Sequence, residues 1–416
     1  MNILILGDHK FIAEAGRTIK DHKLFCIVGD RLTLPLKMKL LQINKNMTLH
    51  PHKKLKNFNF FRTVDWTKVT PLDQYTIEGM RDCESEVMKM YERIKSIKPN
   101  DSFDTRKSHY LACLRYWSYY LAVNKIDVFL AAFVPHMGYD FVIYNLCKFK
   151  GIKTFTNYFL FPDWGYFIES IKDPMAGFEP LYGNFKYPRL KSIFEEYLNN
   201  KPLSYKPITI PNVPRVVEFQ KKVRIMYKDL FDFYKSCCKK FDINKPFIYV
   251  PLHYQYEAST CPLGGVFVDQ LLMIEILSFT GYTIYVKEHP HMSKNRSIAY
   301  YNRLTKMRNV HLIPVETNHY TLINKAFAVA TVTGTAGWEA ILKGKCCLLF
   351  GNIYYQYLPG CFSVGSYPDV MRAIQEIRSF KFDKEKVEAY LKGLEPFLHS
   401  LNYNSMILKF KERIGI

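Results

Sequence analysis

The 416-residue chain predicts an α/β fold built from two parallel-sheet domains. Short apolar strand-like runs alternate with helix-period segments, which argues for parallel sheets covered by helices. The length exceeds the size at which a single hydrophobic core stops growing, so two cores are expected. A stretch containing Pro202, Pro207, Pro211 and Pro214 divides the two alternating series. Proline pushes its preceding residue towards extended backbone and cannot join a central ladder, so this stretch reads as an interdomain connection.

In the first series a strand over Asn2 to Leu6 leads through Gly7-Asp8-His9 into a helix over Phe11 to Ile19, and the next strand covers Leu24 to Val28. Helical patterning follows over Asp73 to Ile97 and Thr105 to Val123. A strand over Asp127 to Phe133, a helix over Tyr139 to Lys150 and a strand starting at Gly151 then make one β-α-β unit. After the prolines a basic amphipathic helix is expected over Arg215 to Lys240. The second series has strands at Phe247 to Val250, Thr283 to Val286, Val310 to Ile313, Ala326 to Val332 and Cys346 to Phe350. Phe267, Leu271, Ile274 and Leu277 fall at spacings of four and three, which gives one apolar helix face. The tail from Lys384 is helical. These elements divide the chain into an amino-terminal domain 1–214, a connecting helix 215–245, a second domain 246–383 and terminal helices 384–416 that pack back on the first domain.

Composition narrows the function. At 48% hydrophobic residues the chain can fill two cores. Its apolar runs fall far short of the ~20 residues a membrane span needs. The first residues show neither a basic leader nor a long apolar region, so a cytoplasmic location is expected. The ten cysteines form no CxxC pair, and reduced thiols without a structural metal follow. The net charge of +20 attracts phosphates of any kind, including nucleotide substrates and an anionic membrane surface. No module for reading nucleic acid accompanies it, so nucleic acid is not an expected partner.

Three polar segments close predicted strands of the second series, at the edge where open parallel sheets bind ligands. The first, His253 to Thr260, is dense in hydrogen-bonding side chains; the plainer reading is a surface loop capping the next helix. In Lys287-Glu288-His289-Pro290 a lysine and a histidine can neutralise a phosphate, while Pro290 stops the strand. In Thr333-Gly334-Thr335 glycine admits a ligand to the backbone, two hydroxyls can bind phosphate, and the next helix offers its free N–H groups. Glu339, one turn on, can accept from ribose hydroxyls. The plainer reading is that Thr335 caps this helix and Glu339 favours its first turn.

On the first series, Asp140 follows a buried strand at a helix start, where a nucleophile or base sits in a doubly wound domain. Stabilisation of that helix start explains it equally. Asp163 is the second choice, and Asp8 a third that more simply shapes a turn.

Together, Pro251-Leu252-His253-Tyr254-Gln255-Tyr256-Glu257 with Pro262-Leu263-Gly264-Gly265, then Lys287-Glu288-His289-Pro290, then Thr333-Gly334-Thr335 with Trp338-Glu339-Ala340 and Gly344-Lys345, resemble the capsule polysaccharide biosynthesis family, which includes bacterial retaining β-Kdo transferases. The resemblance covers the second half of the chain. It implies a GT-B glycosyltransferase, with two Rossmann-like domains facing a central cleft and the donor nucleotide held by the second. The implied donor is a CMP-activated acidic sugar such as Kdo, the acceptor a glycan or glycolipid, and no metal or other cofactor is implied. Carried over, Gln255, Lys287, His289, Pro290, Thr333, Gly334, Thr335 and Glu339 bind the nucleotide; the catalytic candidates are Glu257 and His289 from these segments and Asp140 from its place after a buried strand. Transfer with retention would pass through a carboxylate-bound glycosyl intermediate, and the enzyme would work peripherally at the inner face of the membrane. Tyr256 stands where relatives carry proline, and the acidic motif of the sialyltransferases that look similar at His-Pro is not evident. A GT-B enzyme using UDP- or GDP-sugars, and a non-catalytic scaffold of polysaccharide assembly, are the alternatives.

Overall fold

Strand order is what positions the ligand-binding edges. The computed structural model describes residues 1–29, 31–51, 55, 61–93, 102–161, 164–198, 232–254, 260–289 and 296–416. The chain divides into unit 1, Met1–Ala176 with Phe397–Ile416, and unit 2, Gly177–Pro396. The Pro-rich stretch and most of the expected connecting helix lie outside the described residues; residues 232–237 at its end are helical.

Unit 1 contains β1 (Asn2–Gly7), β2 (Lys23–Val28), β3 (Met47–Pro51), β4 (Val128–Ala131), β5 (Lys153–Phe161), β6 (Trp164–Ile168) and β13 (His399–Ser400). They form one sheet in the order β13-β6-β5-β4-β1-β2-β3. The pairs from β5 through β3 are parallel, as expected. β6 and β13 are antiparallel additions that the sequence reading did not contain. β3 was also missed, because it is a short edge strand ending in Pro51, where proline is tolerated. The helix expected over Asp73 to Ile97 is two, Gln74–Gly79 and Arg81–Arg93, interrupted where Gly79 meets Met80. The terminal helix Tyr403–Ile414 packs Met406, Ile407 and Phe410 into the core of unit 1 beside Phe11, Phe155 and Phe167. The preceding helix Lys384–Leu394 stays with unit 2.

Unit 2 has β7 (Phe247–Pro251), β8 (Thr283–Lys287), β9 (Val310–Ile313), β10 (Ala328–Thr331), β11 (Cys346–Leu349) and β12 (Cys361–Ser363), in the order β12-β11-β10-β7-β8-β9. Every pairing is parallel. Within the unit this is the order 6-5-4-1-2-3, that of a doubly wound sheet read from its far edge, and its direction reverses between β7 and β10. Both faces are covered, so the strands are apolar on both sides. Ile248, Val250, Ile284 and Val286 enter one core with Ile274, Leu277 and Leu304. Phe247, Tyr249 and Tyr285 enter another with Leu322, Ile323 and Ala340. The apolar face expected at Phe267, Leu271, Ile274 and Leu277 is buried, although Phe267 sits in a separate turn of 3-10 helix ahead of helix Gln270–Ser278.

Candidate functional site

The carboxyl ends of β8, β7 and β10 lie side by side, with β7 in the middle at the reversal point. Just beyond β7, His253 is buried and fully engaged. Its Nε2 lies 2.7 Å from Thr331 Oγ1 at the end of β10, and its Nδ1 lies 3.1 Å from Thr260 Oγ1. Its N–H donates to Gln270 Oε1 at 2.8 Å. Burial first, then the charges of Arg296 and His289, bring its pKa down to about 3, so the ring is neutral. The sequence placed His253 in a polar wall and assigned it no role; in the structure it is the central link of the site.

β8 delivers Lys287 as its last residue, then Glu288 and His289. Burial pulls the Lys287 ammonium below its usual range, opposed by the Glu316 carboxylate; a bound anion would reverse that shift. His289 is half-buried and its ring lies 5.5 Å from that of Tyr254. Glu288, which sequence reasoning passed over, is buried. Its Oε2 accepts from Arg296 Nε at 2.6 Å and Tyr301 Oη at 3.0 Å, while Oε1 accepts the His289 N–H at 2.7 Å. Arg296 Nη2 donates to the His253 carbonyl at 2.7 Å, and the guanidinium lies 4.8 Å from the Tyr300 ring centroid. One buried ion pair therefore ties the ends of β7 and β8 together. Nothing local in the sequence marks it, because Glu288 and Arg296 meet only through tertiary packing.

After β10, Thr333 is buried, Gly334 half-buried and Thr335 exposed. Thr335 does not cap the helix Thr335–Leu342. It is the first helical residue, and the cap position is held by Gly334, which has no side chain to bond the first turn. Elsewhere Asp8, Ser102, Ser297 and Ser366 each accept a first-turn N–H. Gly334 is required here by close approach: a Cβ would lie 2.7 Å from Thr331 Oγ1 and 3.1 Å from His253 Nε2. Tyr355 Oη donates to the Gly334 carbonyl and steadies the turn. An uncapped helix start with donating N–H groups suits an anion.

Glu339 lies one turn further, half-buried, with its carboxylate held by neighbours. Oε2 is 2.7 Å from His319 Nε2, and Oε1 accepts from Tyr320 Oη at 3.4 Å. The other ring nitrogen of His319 lies 3.0 Å from Tyr249 Oη. A ribose reaching Glu339 would meet an oriented carboxylate.

In unit 1, Asp140 is fully buried. Oδ2 accepts the His136 N–H at 3.1 Å, and Oδ1 accepts those of Met137 and Phe141 at 2.7 Å each. These bonds are the ones the local reading calls for, a carboxylate stapling a turn at a helix start. That turn depends on Gly138, whose φ of +86° is left-handed and where a Cβ would lie 2.6 Å from Tyr91 Cε1. Asp8 caps its own helix through the Phe11 N–H at 2.8 Å and accepts from Tyr403 Oη. Gln255, Glu257, Pro290 and Asp163 lie outside the described residues.

Residues 268–361 match the family described as capsule polysaccharide biosynthesis protein. The match is confined to that segment. It holds the Lys287, Thr333 and Glu339 motifs; the Pro251 to Gly265 stretch precedes it. No curated protein sequence matches the chain. Among solved structures, the β-Kdo 2,7 transferase of Thermosulfurimonas dismutans KpsC is similar at 14% identity, covering 79% of this chain and 96% of its own, with a TM-score of 0.33. The β-Kdo 2,4 transferase of the same KpsC is similar at 12% identity over 66% and 81% of the two chains, with a TM-score of 0.30. Methanocaldococcus jannaschii UDP-GlcNAc 2-epimerase, in complex with UDP-GlcNAc and UDP, is similar at 11% identity over 95% and 100%, with a TM-score of 0.28. Likeness at these TM-scores carries no argument about chemistry, and the α/β class rests on the strand orders. Among the described residues no helix is long and apolar enough to cross a membrane.

Proposed function

We propose that this chain is a glycosyltransferase of surface, capsular-type polysaccharide biosynthesis that moves an acidic sugar such as Kdo from a CMP-sugar to a glycan or glycolipid acceptor. The observation that carries the reading is the strand-end edge of unit 2. There an uncapped helix start after β10 and the Lys287-His289 pair after β8 flank His253, which bonds Thr331 directly and reaches Glu288 through Arg296. This edge lies at the sheet's reversal point, and two of its three segments fall within the family match.

On this reading the helix N–H groups and the hydroxyls of Thr333 and Thr335 bind the donor phosphate, Gly334 lets it approach, and Glu339 takes the ribose. His289 and Lys287 meet the negative charge that grows on departing CMP, a role worth most where water is excluded. Gln255, Glu257 and Pro290 join this set by sequence position. An acceptor-side aspartate supplies nucleophilic or general-base help, with Asp163 and Asp140 as the candidates, and retention follows from the family resemblance. No metal or further cofactor is assigned a role. The enzyme is placed at the inner face of the membrane, in peripheral association.

A thermal-shift series with CMP, UDP and GDP tests the donor. CMP at a hundred times its Kd should stabilise unit 2 by about 2.7 kcal/mol, and UDP and GDP should do markedly less. His289→Ala should weaken CMP binding at least about tenfold, the scale of one charge-assisted contact. Equal stabilisation by UDP or GDP would move the donor class. Absence of binding to all three, without transfer, would leave the scaffold reading.

A further inference from the structure

From Arg31 to Val64 the sequence carries eight Lys and Arg and no Asp or Glu. Helix Leu34–Ile43 lies in this run. It is fixed to unit 1 on one side only: Leu40 is buried, and Leu36, Leu41 and Ile43 pack against the core beside helix His9–Thr18. Its opposite face is unlike an ordinary solvated helix face. Leu34 is 72% and Met38 52% exposed, one turn apart, and Arg31, Lys37 and Lys39 around them are exposed as well. Residues four apart share a helix face, so the two apolar side chains form one ridge. No ion pair occupies these cations among the described residues.

The helix starts at the ligand-binding edge of unit 1. β2 ends at Val28, in register with Gly7 of β1, and the Gly29 N–H donates to the Gly7 carbonyl at 2.7 Å. Thr33 then caps the helix, with its hydroxyl accepting the Leu36 N–H at 3.5 Å. Arg31, Leu34, Lys37 and Met38 therefore stand at or next to the carboxyl edge of the parallel sheet, on the side where Asp8 and Asp140 lie.

We propose that this helix face is a docking surface for an anionic lipid bilayer, with Leu34 and Met38 entering the headgroup region and Arg31, Lys37 and Lys39 pairing with lipid phosphates. Apolar residues flanked by Lys and Arg, in a run from Arg31 to Val64 without Asp or Glu, are complementary to such a surface. A soluble polyanion would use the cations and leave the apolar ridge in water. This deepens the peripheral-membrane part of the proposed function by naming the residues. It also gives the surface a purpose, since docking here would hold a lipid-linked acceptor beside the strand ends of unit 1.

The test is cosedimentation of the full chain with vesicles of phosphatidylglycerol and phosphatidylcholine, against phosphatidylcholine alone. The chain should bind the anionic vesicles and release as salt rises. Lys37→Gln/Lys39→Gln should lower partitioning about thirtyfold. Leu34→Gln/Met38→Gln should lower it at least about tenfold with charge unchanged. Lys384→Gln/Lys386→Gln, which removes the same charge from two exposed positions on a helix of unit 2, should leave it unchanged. Unaltered binding by the Leu34/Met38 variant, or equal loss in the unit 2 control, would overturn the surface in favour of bulk charge. CMP stabilisation reports separately on the donor site: a chain that binds CMP and not vesicles keeps the transferase reading and loses this surface.

Discussion

The strand-end edges of the two units share a topology and differ in how they use their polar groups. Both sheets reverse direction beside their first strand, β1 against β4 in unit 1 and β7 against β10 in unit 2. At the edge of unit 1 the acids are committed to the local backbone: Asp8 holds the Phe11 N–H, and Asp140 holds three N–H groups around a glycine turn. At the edge of unit 2 the polar side chains bond one another across strands, and the helix start itself is left without a cap. Local capping stabilises a loop. A cross-strand network beside a helix start whose cap residue is glycine leaves that start open to an anion, and this is the ground for proposing the donor site in unit 2.

The largest effect that could break this contrast is at the buried pair. Arg296→Met would leave Glu288 buried with Tyr301 and a backbone N–H as its remaining partners, and should destabilise unit 2 by about 3–5 kcal/mol in urea unfolding. The double variant with Glu288→Leu should recover much of that loss, because replacing both partners removes the stranded charge. A cost below about 1 kcal/mol for Arg296→Met would mean that the cross-strand network is not a structural unit and that the two edges are more alike than they look.

A smaller effect is expected at the matching place in unit 1. Asp140→Ala removes an acceptor from three N–H groups and should cost about 2 kcal/mol, with CMP binding to unit 2 unaltered. Asp140→Asn keeps Oδ1 for Met137 and Phe141 and should lose less. Transfer assays with both variants separate the roles. If Asp140→Asn stays folded and active, the carboxylate is structural and the acceptor-side group is Asp163 or another. If it stays folded and loses all transfer, Asp140 takes part in the reaction despite its burial.

Much of this was legible from residue order. Short apolar runs such as Phe247 to Val250 and Cys346 to Phe350 carry their strand signal locally, and the site segments stand out because polar clusters directly follow those runs. What stayed hidden had no local signal. β6 and β13 pair antiparallel at a sheet edge, an outcome of chain reversal and of a two-residue contact between positions far apart in sequence. Glu288 and Arg296 meet across a segment that no helix or strand period connects. The capping role expected at Thr335 fell one residue away, on Gly334, because the tight approach of His253 and Thr331 excludes a side chain there. Asp140 could not be resolved between two roles, since a helix-start aspartate looks the same in sequence whether it faces solvent or its own turn.

Acid lability is the property the two edges share least visibly, and His253 allows it to be apportioned. Unfolded, its imidazole takes a proton near pH 6.5; folded, burial and then the charges of Arg296 and His289 hold it neutral down to about 3. Between those values the unfolded chain binds one more proton, so stability rises with pH across the window and is lost as pH falls from about 6.5 towards 3, by up to about 1.4 kcal/mol per unit. His50 and His109 of unit 1 are lowered by burial to about 4 and about 3, so they contribute in the same direction. In His253→Gln the slope of stability against pH between 4 and 6 should therefore fall by about one proton in unit 2 while unit 1 keeps its own. Unfolding followed at several pH values measures the slope, and comparing slopes removes whatever the glutamine costs at neutral pH. An unchanged slope would mean that His253 is protonated in the folded state, and a cationic ring there would make it a phosphate ligand in its own right rather than the neutral link between β7 and β10.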